Sequence, residues 1–388
     1  MLLNIFNGVI ALEKLGSLQV MRGIAALFVV MFHYNGFLIT GSDFAGLYNS
    51  LFSKGIIGVD IFFVISGFIM IYTTHHKKYG LVTAKTFLIN RLFRILPVYY
   101  FGLITAFAVG GAMSLFHYPE KMVNLVSAIT FTVYRSDIAP HYIDDGGLYN
   151  IRWTLNYELY FYTAFAVCLC FRFRVIALLT WALLAVVIVP MLAGFAPTLG
   201  MHGYPWHNPW YGFLTNPIIL EFLIGAFFAY LYIALKEWAK VQKVKLLFML
   251  SSLIMIIYFA VRLYSGVLCA MYIPTTLAIG FLIFSLSMAD ALLCKYIPKS
   301  LAILGDISFS LYLLHSLVGI FIFKKLGKLY ESDIYRILVV ILALILSIVA
   351  AYYSHKYIEV KLVNFLKRKT GVNCPACLNA ERAEQLEP

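Results

Sequence analysis

Two ionisable residues in an apolar run, Arg22 and His33, stand eleven positions apart. On an α-helix eleven steps of about 100° return to within roughly 20° of the starting face and climb about 16 Å. The two side chains therefore share one face at two depths, with a cation able to hold an anion below an imidazole able to move a proton. A snorkelling anchor at Arg22 and a histidine bonded to a neighbouring helix would leave the same pattern. Ser308, Tyr312 and His315 fall at i, i+4 and i+7, one polar stripe that serves either chemistry or helix–helix hydrogen bonding. Arg91 and Arg94 are three apart, so both guanidinium groups reach one patch; their forks match phosphate oxygens, and they equally suit a membrane boundary. Asp60 and Glu158 open two further apolar stretches. Each needs a partner, Arg152 is near the second, and structural pairing is the simpler account of both.

These residues must be positioned by membrane helices. Of 388 residues, 62% are hydrophobic and 12% charged, against about 45–50% and 25% in soluble domains. A water-soluble fold is excluded, and runs of about 20 continuous apolar residues exclude a barrel of short alternating strands. The fold class is all-α: a polytopic integral membrane helical bundle. About ten transmembrane helices are expected, near 18–40, 55–74, 92–113, 149–171, 175–194, 210–235, 245–264, 268–289, 301–323 and 334–357. The net charge of +12 then reads as topology, with no nucleic-acid partner. With a cytoplasmic N-terminus, 21 of the 30 Lys and Arg fall on the cytoplasmic side and the C-terminus returns there; Lys324, Lys325 and Lys328 run against the bias. Glu13 and Lys14 interrupt the first apolar stretch, so no signal peptide is expected and the first span should stay in the mature protein. Six cysteines form no disulfide framework, and the single C-x-x-C of Cys374 and Cys377 is not read as a metal or redox centre.

Two outer segments exceed what a turn requires. Ser114 to Leu148 contains a short apolar run, Val123 to Tyr134, too brief to span and suited to a re-entrant or interfacial position. The other, from His202 to Tyr211, is dense in aromatics. An interfacial aromatic belt explains it; the alternative is a platform for a sugar ring, with Trp206 and Trp210 as candidate acceptor contacts.

In these motifs the sequence resembles the acyltransferase 3 family of multipass membrane acyltransferases, especially stand-alone members that O-acylate exopolysaccharides and other envelope glycans. Arg22 and His33 match its R-x10-H signature, and Gly58 to Phe68, with Asp60 and Ser66, match G-V-D-x-F-F-x-x-S-G-F. Arg91, Arg94 and Pro97 fit R-x-x-R-x-x-P; Trp153, Leu155, Glu158 and Tyr162 fit W-x-L-x-x-E-x-x-F-Y; Ser308, Tyr312 and His315 fit S-x-x-x-Y-x-x-H. Glu359 stands where the family has Glu-x-Pro, but position 361 is Lys. Five motifs in order cover about Leu18 to Lys361.

The resemblance implies a cytoplasmic segment 1–17, an acyltransferase 3 transmembrane domain 18–361 and a cytoplasmic polar tail 362–388. It implies acyl-CoA, most often acetyl-CoA, as co-substrate, with Arg22, Arg91 and Arg94 holding its phosphates and His33 as general base. Asp60, Ser66, Trp153, Glu158, Ser308, Tyr312, His315 and Glu359 would form the supporting polar site. No metal is implied. Expected partners are membrane lipid, a glycan or lipid-linked saccharide acceptor, and polysaccharide-assembly proteins; the expected location is a bacterial inner membrane. The same intramembrane charges would suit a glycan transporter or flippase, which would spread them over several interrupted helices. A membrane scaffold would need no polar lining.

Overall fold

The computed structural model describes residues 15–38, 43–109, 116–144, 149–327 and 332–370, and among these every regular element is helical. Cys374, Cys377 and Lys328 lie outside them. Among the described residues, nine helices are long and apolar enough to cross a membrane. The tenth expected span is α6 (Arg152–Leu169), 18 residues long and carrying Arg152, Thr154, Asn156 and Glu158 on its first two turns. Its polarity follows from its place, since its first six residues are all buried in protein. The chain is thus a multi-pass all-α membrane bundle.

Helix α1 (Gly16–Leu38) leads into a short helix, α2 (Asp43–Phe52), which the sequence reading did not separate. Then come α3 (Gly58–Thr74) and α4 (Leu81–Val109), the latter running unbroken through Pro97. The short apolar run that follows α4 forms α5 (Pro119–Thr130), with proline in its first turn and Phe131 in a left-handed conformation closing it. It buries Asn124, Ser127 and Ala128 and exposes Val123, Val126 and Ile129, which makes it an amphipathic cap over α6. After α7 (Arg174–Leu192) and the single turn α8 (Pro209–Leu214) come α9 (Ile219–Leu235), α10 (Gln242–Tyr264), α11 (Ile273–Leu293), α12 (Lys299–Leu326) and α13 (Asp333–Ser354). A π-helical stretch, His355–Leu362, passes into α14 (Val363–Thr370). Proline lacks the N–H and clashes with the preceding turn; Lys361 in its place is compatible with the helix running on to Thr370. Lys324 and Lys325, against the charge bias in sequence, occupy the last turn of α12, where the helix dipole favours cations.

Two close crossings set the interior. At Gly23 a Cβ would lie 2.8 Å from the Gly305 nitrogen, and at Gly305 it would run into the Gln19 carbonyl, so α1 and α12 meet backbone to backbone. Gly67 and Gly225 do the same for α3 and α9: a Cβ on either would strike the opposite backbone. Small residues permit such approach where apolar side chains alone give membrane helices little reason to associate.

Candidate active site

The α1–α12 crossing brings the two spaced motifs together. Tyr34 of α1 locks the register by donating to the His315 carbonyl (2.8 Å) and lying against Gly319. Arg22 ends up at one level with the polar stripe of α12, and His33 one level further along.

Arg22, Arg91 and Arg94 line a single cavity of about 590 Å³, counted to its open mouth, together with Ser66, Thr154, Glu158, Phe62 and Tyr312. Five helices contribute polar walls, and three guanidinium groups face one carboxylate. Each group is held. Arg22 donates to Gln19 Oε1 at 3.0 Å, and Gln19 in turn reaches Asp306 at 3.4 Å. Arg91 lies between two rings, 5.3 Å from the centroids of both Phe87 and Tyr162. Glu158 accepts from Ser66 Oγ (3.1 Å) and from the Tyr162 hydroxyl one turn on. Tyr312 closes the inner end, its hydroxyl 2.8 Å from Thr154 Oγ1 and its ring 5.5 Å from Phe62. Past Tyr312 lies a histidine pair. His315 Nε2 is 3.2 Å from His33 Nδ1, and the Tyr312 and His315 rings are 6.1 Å apart. His33 is exposed, whereas His315 is fully buried.

The remaining sequence candidates fall elsewhere. Ser308 turns its hydroxyl to its own helix, donating to the Gly305 carbonyl (2.8 Å). Trp153 is buried between Phe63, Tyr157 and His141 and does not line the cavity. Glu359, in the π-helical stretch, accepts from Ser310 and pairs with His355 at 3.2 Å, within electrostatic range of Arg22. Trp206 is tied by its indole N–H to Thr215 (3.0 Å) and packs on Phe195 and Tyr211; Trp210 is 41% exposed.

Arg152 is not the partner of Glu158. Six helical steps turn about 600°, which puts the two on different faces of α6. Arg152 instead donates to Asn124 Oδ1 (2.8 Å) and Ser127 Oγ (2.9 Å) on α5 and is 1% exposed. Asp60 likewise lies outside the cavity. It accepts from the Met271 N–H at 2.9 Å, and close to it stands Glu221, itself fully buried beside Thr276. Glu221 was missed in the sequence; its signal was a lone carboxylate in the apolar run of α9. Gln19 and Thr154 were missed because neutral polar side chains carry no such signal.

Comparison with known proteins now decides the family. The sequence profile of the acyltransferase domain family (acyltransferase 3) matches residues 15–356. The chain belongs to that family. It is also similar to the exopolysaccharide production protein ExoZ of Rhizobium meliloti (strain 1021), 32% identical over 178 residues, 45% of this chain and 50% of that protein. The match therefore spans about half the length of that relative. No solved structure matches. The cavity offers three guanidinium groups and, past Tyr312, an exposed imidazole.

Proposed function

We propose that the protein moves an acyl group, acetyl foremost, from cytoplasmic acyl-CoA to a hydroxyl of a cell-envelope glycan, an exopolysaccharide or its lipid-linked precursor. The observation that carries this is the joining of three guanidinium groups in one cavity with a histidine pair beyond its inner wall. Phosphates carry several charges and demand fixed, forked donors, and Arg91, clamped between two rings, is such a donor. The glycan follows from the name of the relative. Both termini lie on the cytoplasmic side of a bacterial inner membrane in this reading, which the 21 to 9 division of basic residues supports.

In a direct transfer, His33 Nε2 removes the proton of the sugar hydroxyl as its oxygen attacks the thioester carbon. The C–S bond breaks, the acyl group becomes an ester on the sugar, and the thiolate of CoA takes the proton from His33. A positioned general base contributes typically about 10²–10⁴-fold. Outside the cavity, Trp206 and Trp210 are the proposed acceptor contacts, and polysaccharide-assembly proteins the proposed partners.

The test is genetic and chemical. Exopolysaccharide from a deletion strain should lack O-acyl esters by NMR, with restoration by the wild-type gene and none by His33→Ala. Esters unchanged in the deletion strain would overturn the assignment.

A further inference from the structure

Two histidines meet past Tyr312, beyond the inner wall of the cavity, but they are not equivalent. His33 is exposed and open to an acceptor, whereas His315 has 0% exposure and touches no solvent. Their hydrogen bonds assign each proton. His315 Nδ1 lies 2.7 Å from the Tyr312 carbonyl and 3.2 Å from the Leu311 carbonyl. A carbonyl oxygen only accepts, so His315 Nδ1 carries hydrogen and, in the neutral ring, Nε2 is a bare acceptor. That bare nitrogen points at His33 Nδ1, 3.2 Å away. His33 Nδ1 also lies 2.9 Å from the Val29 carbonyl, again an acceptor. Both of its neighbours demand a donor. His33 must therefore hold its hydrogen on Nδ1, which leaves Nε2 unprotonated.

We infer that His315 is a positioning residue that fixes His33 in the Nδ1–H tautomer and supports the imidazolium formed when Nε2 takes the acceptor's proton. This deepens the proposed function and rests on His33 being the base. The device has the logic of a base oriented by a third group, with a neutral imidazole where a carboxylate often stands. A neutral orienter suits the site, because a buried carboxylate there would need a partner of its own. The framework that holds His315 is rigid: Tyr34 bonds its carbonyl at 2.8 Å and Ser347 at 2.7 Å, tying α1, α12 and α13 together.

The experiment compares His315→Met, which keeps bulk without a comparable acceptor, with His315→Gln, whose amide oxygen can accept from His33 Nδ1. Each is purified beside the wild type and His33→Ala, and kcat for acyl transfer is measured with the Kd for acetyl-CoA. His315→Met should lose about 10- to 100-fold in kcat, part of what a general base supplies because Val29 still holds the proton. Acetyl-CoA affinity should stay within about twofold, and His315→Gln should recover kcat to within about fivefold of wild type. Full kcat in His315→Met beside an inactive His33→Ala would overturn the positioning role alone; full kcat in a folded His33→Ala would overturn the proposed base as well. Should the Met variant fail to fold, ¹⁵N solid-state NMR of histidine-labelled wild type decides. Hydrogen on Nδ1 of His33 is expected, and hydrogen on Nε2 in the neutral ring would refute the inference.

Discussion

Replacing Arg91 with Gln removes one fork from the cavity while leaving its apolar wall in place. The guanidinium lies 5.3 Å from both the Phe87 and Tyr162 centroids, so little entropy remains to be lost when it binds a phosphate. A hydrogen bond to a charged group is worth about 1.5–3 kcal/mol net, and each 1.4 kcal/mol is tenfold in affinity. One lost contact therefore predicts Kd for CoA rising about 10- to 150-fold. Arg91→Lys keeps the charge but loses the fork and the ring sandwich, each ring worth about 0.5–1 kcal/mol at an exposed site, so it should fall between Gln and wild type. The assay is calorimetry with CoA on detergent-purified protein, paired with transfer rates from an acetyl-pantetheine thioester that has no nucleotide. The Gln variant should be impaired with CoA and nearly normal with the truncated donor. Equal impairment with both donors would mean that Arg91 serves folding or topology and that the cavity does not hold phosphate.

Gly305→Val should lower thermal stability by about 1–3 kcal/mol and abolish transfer, since its Cβ strikes the Gln19 carbonyl; Gly36→Ala, where a Cβ meets nothing within 4 Å, is the control and should melt as wild type. Asp60→Asn should be tolerated because an amide oxygen still accepts from the Met271 N–H, whereas Asp60→Ala strands that N–H and should cost about 1–3 kcal/mol; an Ala variant at least as stable as Asn would contradict a stabilising role for this hydrogen bond. Trp206→Phe and Trp210→Phe should each reduce glycan acylation with CoA binding intact if they contact the acceptor. Unchanged acylation in both and in the double variant would assign them to the aromatic belt.

Periodicity carried the main result. Arg22 and His33 share a face because eleven residues nearly close three turns, and the i, i+4, i+7 stripe of Ser308, Tyr312 and His315 aligns along α12 for the same reason. Pairing between helices was not legible. No local rule says that Gly23 meets Gly305, and that contact is what brings His315 to His33. Sequence proximity misled at Arg152, which lies about 120° around the helix from Glu158, and whose buried partners, Asn124 and Ser127, come from α5. Glu221 was hidden because its neighbour Asp60 is far away in sequence and also acidic. The hydropathy pattern of α6 does not reveal why its first half tolerates polar groups, which is that this half is buried in protein.

The central claim is that an acyl group passes from acyl-CoA to a glycan hydroxyl with His33 as the base. It is tested most directly by incubating the purified, lipid-reconstituted protein with acetyl-CoA carrying ¹⁴C in the acetyl group and the de-O-acylated native exopolysaccharide, then counting alkali-labile label on the glycan. The account predicts labelled ester with wild type and, for a folded His33→Ala that still binds CoA, a rate lower by about 10²–10⁴-fold. Label transferred equally by both proteins, or none transferred by a wild type that binds CoA, would contradict it.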